Sequence, residues 1–194
     1  MSTLKLVLAF VLALVLGSGA ALAQTPRLGK PISEADIKAW DIAVMPDGTG
    51  LPPGSGTAVQ GARVFAEKCS ACHGEGGKGS PLAPAPLFGG APLTSGIETP
   101  KTIGNFFGYS TIVFDFVRRA MPFSQPRTLT GDEVYAATAY LLWLNKIIGE
   151  NDVMNAQTLP KVKMPNRDGF IPDTRPDVKA TRCMTDCPPI GVVK

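Results

Sequence analysis

The chain has 194 residues and a net charge of only +3, with 19 Lys and Arg set against 16 Asp and Glu. That length suits one domain with long arms, and that charge excludes the strongly basic surface of a nucleic-acid binder. Four cysteines and a single histidine limit the metal and redox chemistry open to it.

The first 23 residues read as an export signal: a basic start at "MSTLK", the apolar run Leu6–Leu16, then small residues ending at Ala21 and Ala23. Cleavage after Ala23 is expected, with a periplasmic mature chain. The apolar run is shorter than the roughly 20 residues of a spanning helix, so no stable membrane insertion is expected after cleavage. Export also means that every cysteine needs an account, because thiols in an oxidising compartment are bridged or otherwise consumed.

Residues 24–56 read as an N-terminal arm. Within it "SEADIKAW" predicts a short helix capped by Ser33, with Trp40 as an anchor into the core, and "MPDGTGLPPGSG" is too rich in Pro and Gly for a regular element. The central domain is expected over 57–149. It opens with a helix, "TAVQGARVFAEKC", capped by Thr57 and carrying an apolar stripe of Val59, Ala62, Val64, Phe65 and Ala66. This helix delivers Cys69. From 74 to 104 the pattern is that of a long loop, with Leu82, Leu87, Phe88, Leu93 and Ile97 as apolar anchors. A helix over "STIVFDFVRRA" follows, with Ser110 as cap and Met121–Pro122 as its stop. Thr130 and Glu133 make a capping box for a last helix running to Gly149. Residues 150–194 form a C-terminal arm broken by frequent Pro. No strand pattern stands out, and the expectation is an all-α fold of three to five helices.

The chemistry concentrates in "KCSACHGEGGKG", where Cys69, Cys72 and His73 fall within five residues. Zinc would need a fourth ligand, and the other two cysteines lie far along the chain with no second histidine. A dithiol redox motif would sit in a βαβ context, which the sequence lacks. Cys-x-x-Cys-His is instead the attachment signature of one covalent haem c, with the thiols adding to its vinyl groups and His73 as proximal iron ligand. A lone histidine rules out bis-histidine ligation within the chain. Met121, between two core helices, is the expected sixth ligand, and a core-filling thioether is the plain alternative. The second ring nitrogen of His73 needs an acceptor, for which a carbonyl of "PAPLFGG" is suited.

These residues resemble the class I c-type cytochromes over about 57–149. Gly61 and Phe65 match that family's GxxxF, Tyr140 its aromatic in the last helix, Met121 its ligand methionine, and Pro86 the proline whose carbonyl accepts from the ligand histidine. The runs "AWDIAVMPDGTGLPPGSG", "TIGNFFGYSTIVFDFVRRAMPF" and "LPKVKMPNRDGFIPD" are similar to the haem subunit of Sox sulfane dehydrogenase and to cytochromes paired with periplasmic molybdenum sulfite dehydrogenases. The resemblance implies an electron-transfer subunit that accepts electrons from a molybdenum-cofactor dehydrogenase and passes them to a downstream cytochrome. Having one haem motif, the chain departs from the two-haem form of the sulfane dehydrogenase subunit.

Cys183 and Cys187, in "RCMTDCPPI", have no adjacent histidine; a local disulfide is the ordinary expectation, and Cu(I) held with Met184 the alternative. The basic and apolar residues of 157–182 suit docking onto this domain or onto a partner, and the resemblance inclines towards a partner. Two other functions compete with a dedicated subunit. A freely diffusing periplasmic shuttle is one, although long arms outside the minimal core weigh against it. A five-coordinate haem enzyme or sensor is the other, and the chain has no second histidine to act as distal acid or base.

Overall fold

The computed structural model describes residues 29–93 and 98–171. The expectations for the signal segment, Ile97, Cys183 and Cys187 lie outside those residues. The chain divides into two compact units, Met1–Ile42 and Ala43–Lys194. In the first, helix α1 (Glu34–Trp40) begins at Ser33, whose hydroxyl accepts from Asp36 N at 3.2 Å while the Asp36 carboxylate accepts from Ser33 N at 3.1 Å. Trp40, expected as an anchor, is 78% exposed.

Among the described residues, the second unit holds five α-helices: α2 (Ala58–Lys68), α3 (Ser70–His73), α4 (Ile103–Phe106), α5 (Ser110–Ala120) and α6 (Gly131–Leu144). The all-α expectation holds, with one small addition. Strands β1 (Ser55–Gly56) and β2 (Met154–Asn155) pair antiparallel, Ser55 opposite Asn155 and Gly56 opposite Met154. Two-residue strands leave no periodicity to read in a sequence.

Helix α6 is the centre of the core. Nine consecutive residues, Val134 to Leu142, are buried, because neighbours press on it from several sides. The Thr130–Glu133 capping box starts it as expected. It ends at Leu144 and not near Gly149, because Asn145 takes the cap position and Lys146 turns to φ 59°. Helix α2 crosses it so closely that a Cβ on Gly61 would lie 1.9 Å from the Ala136 carbonyl oxygen. That contact turns the buried face of α2 to Ala58, Gly61 and Phe65, and leaves Val59 and Ala66, expected in the apolar stripe, exposed. A glycine carries no hydropathy signal, yet here it sets the helix orientation.

Ser110 is the first residue of α5 rather than its cap, and Tyr109 stands before it. Its buried hydroxyl donates to Leu159 O at 2.6 Å. The segment after Gly149, expected as an arm, is stitched into the same core: Met154, Leu159 and Met164 are 5%, 0% and 1% exposed. Asn166 donates to Phe106 O at 2.7 Å, and the Arg167 guanidinium sits 3.9 Å from the Tyr109 ring centroid. The Pro- and Gly-rich stretch before β1 is likewise strapped onto α6, with Tyr135 Oη donating to Pro52 O at 2.9 Å and Ser55 N to Asp132 Oδ1 at 2.7 Å. Among the described residues no helix is long and apolar enough to cross a membrane.

Candidate functional site

Cys69 is the hinge of the motif. It closes α2, its N–H donating to Phe65 O at 2.9 Å, and it opens the one-turn α3, in which Cys72 N and His73 N donate back to Cys69 O at 3.1 and 3.0 Å. One helical turn therefore carries both thiols and the imidazole. Gly74, at φ 73°, reverses the chain, and a Cβ there would lie 2.1 Å from Gly79 O. The loop that follows is bonded back to the motif: Gly79 N donates to His73 O at 2.8 Å, and the Ser80 hydroxyl donates to Cys72 O. Gly77 is buried, and its carbonyl accepts from Leu87 N at 2.9 Å.

Burial pushes the Cys69 thiol up to about 11, only partly countered by the Lys68 ammonium beside it, so the sulfur keeps its proton at neutral pH. Burial also lowers the pKa of His73 and favours the neutral imidazole, the form that ligates a metal. Its Nδ1 is buried with no hydrogen-bond partner. Lys68 and Glu133 form an ion pair at 2.5 Å, tying the end of α2 to the start of α6 next to Cys69. Glu133 is held below the ordinary carboxylate range, first by the Lys68 hydrogen bond and then by the Thr130 backbone N–H.

Pro86, the expected acceptor for the imidazole, is exposed and shares a peptide plane with Leu87 N. In a trans peptide the N–H and C=O point oppositely, so the Leu87 N to Gly77 O bond also aims the Pro86 carbonyl. Leu87 packs against the core while Leu82, expected as another anchor, is 77% exposed. Met121 is half-buried at the C-terminal cap of α5 and packed against the core. Met154 and Met164 are core fillers at 5% and 1% exposure, and Met45 is 52% exposed.

Two features of the site carry little signal in the sequence. Thr102 caps α4 in a box with Asn105, inside a region read partly as loop; Thr-x-x-Asn was the available signal. Asn145, within the stretch expected as helix to Gly149, is the C-terminal cap of α6. Its side chain donates to Leu87 O at 3.2 Å and to Leu141 O at 2.8 Å, and accepts from Gly104 N at 3.2 Å. It thereby joins the site loop, α4 and α6.

This donor set suits a haem c and not zinc. Among the described residues no group of three or more His, Cys, Asp or Glu is gathered to hold an ion. Two thiols and a neutral imidazole on one turn, with a buried Nδ1 that lacks a partner, match a ligand whose macrocycle supplies the remaining donors.

Comparisons agree. A family model described as cytochrome c oxidase, cbb3-type, subunit III, matches residues 56–141. A solved structure, the sulfane dehydrogenase SoxCD from Paracoccus pantotrophus, is similar at 39% identity over 88% of this chain and 85% of that chain, with a TM-score of 0.70.

Proposed function

The chain belongs to the c-type cytochromes, and on that premise we propose that it is the monohaem electron-transfer subunit of a periplasmic sulfur-oxidising dehydrogenase. The observation that carries this reading is the likeness to SoxCD across 88% of the chain, which extends well beyond the stretch holding the haem motif.

A bound haem c supplies a one-electron iron couple. Cys69 and Cys72 would hold it through thioethers, and His73 would be the proximal ligand, kept neutral by burial. Met121 would be the distal ligand, which closes the iron to substrate and favours electron transfer over catalysis at the metal. Pro86 would accept from His73 Nδ1 and fix the ring. Leu87 is packed against the core that α6 dominates, next to the loop that would cover the haem.

The donor in this reading is a molybdenum-cofactor subunit of the sulfane or sulfite dehydrogenase type, and the acceptor a downstream cytochrome. Export with cleavage after Ala23 places the chain with them. A diffusing shuttle gains one supporting observation, since the segment from Met154 to Met164 is spent on this domain's own core.

Copurification from the native periplasm decides between them. Covalent haem, stable to acid–acetone, together with molybdenum and sulfite- or thiosulfate-dependent haem reduction, is the expected result. Covalent haem with no associated molybdenum would transfer the assignment to the shuttle.

A further inference from the structure

Asn145 makes three side-chain hydrogen bonds, to the loop at Leu87, to α4 at Gly104 and to α6 at Leu141, and the first of these reaches the loop that is bonded back to the haem motif. The loop after His73 is fastened to the motif at its start by Gly79 N to His73 O, and near its end by Leu87 N to Gly77 O. The Leu87 carbonyl is in turn held by Asn145 Nδ2 at 3.2 Å and by Ile103 N at 3.4 Å. Asn145 Oδ1 accepts from Gly104 N, so the same side chain grips α4, which supplies that second donor. Asn145 Nδ2 also reaches Leu141 O at 2.8 Å, which fixes the amide to α6. The Leu87 anchor thus has its position set from α6 by one residue. The peptide on the other side of the Leu87 Cα, whose N–H donates to Gly77 O, carries the Pro86 carbonyl, and His73 Nδ1 is buried without a partner.

We propose that Asn145 is a positioning residue for the proximal histidine: by fixing Leu87 it holds the loop carbonyl that orients the His73 ring. This rests on the reading of His73 as a haem ligand. An N–H acceptor makes a ligating imidazole more electron-donating, and that stabilises the oxidised iron. Loosening the loop therefore raises the potential and opens the ring N–H to solvent.

Three variants of the full-length holoprotein test this. Asn145→Asp keeps the acceptor for Gly104 N and loses the donors to Leu87 O and Leu141 O. Asn145→Ser keeps a hydroxyl on α6 but is too short to span to Leu87. Asn166→Ala removes a comparable side-chain bond, to Phe106 O, away from Leu87. In NMR of the haem protein, the His73 ring N–H is expected to exchange with solvent about tenfold faster in both Asn145 variants, as a local opening would allow. Redox titration should show a higher potential in both, and Asn166→Ala should match wild type in both measurements. Folded Asn145 variants with wild-type exchange and potential would overturn the proposal. So would failure of both to fold while Asn166→Ala folds normally, since Asn145 would then be structural only. Failure of the haem-ligand reading itself would show separately, as wild-type protein without covalent haem.

Discussion

The rings of Phe65 and Tyr140 lie 5.2 Å apart at an interplanar angle of 44°, and Trp143 continues the stack 5.8 Å from Tyr140. One turn before Phe65, Gly61 meets the backbone of α6 at Ala136. The pair therefore fixes how α2 enters Cys69, and the geometry of the motif depends on a helix crossing far along the chain.

Gly61→Ala tests that crossing. The added methyl meets a carbonyl oxygen 1.9 Å away, which cannot rotate aside as a side chain would. A loss of about 1–3 kcal/mol is expected in denaturant unfolding, the range for overpacking. Stability equal to wild type would mean that α2 slides on α6 at no cost.

The segment after Gly149 should behave as core. Leu159 is fully buried and its carbonyl accepts from Ser110, so Leu159→Ala should cost about 2–5 kcal/mol. Truncation after Gly149 should abolish cooperative unfolding, whereas truncation after Ile171 should preserve it. A domain ending at Gly149 that unfolds normally would restore the view of this segment as an independent arm.

Glu133 is expected to make stability depend on pH. Its folded pKa is lowered, chiefly by Lys68, so its contribution is present above the ordinary carboxylate pKa and is lost as pH falls through the folded value. Glu133→Gln should then destabilise the protein at pH 7 and converge with wild type in acid. The pair is partly exposed, so the effect should also shrink in high salt. A difference that stays constant with pH would assign the loss to the capping box instead.

Met121 should ligate the iron. Met121→Ala should keep covalent haem, lose the near-infrared sulfur–iron band of the oxidised protein and lower the potential. An unchanged spectrum would leave Met121 as a core residue of α5, where it packs now.

The sequence by itself determined the chemistry and the local punctuation. Cys69, Cys72 and His73 are adjacent in the chain, and Ser33, Thr57 and Thr130 cap their helices through residues three positions away, so each signal is complete within a few residues. The tertiary structure alone decided what depends on distant partners. Ser110 donates to Leu159 instead of capping, because that hydroxyl is buried against a chain segment 49 residues away. Asn145 ends α6 because Leu87 and Gly104 compete successfully for its amide. Met154, Leu159 and Met164 are core rather than arm because a Pro-broken stretch can still bury side chains one at a time against a preformed helix surface, without the periodicity that reveals a helix or strand.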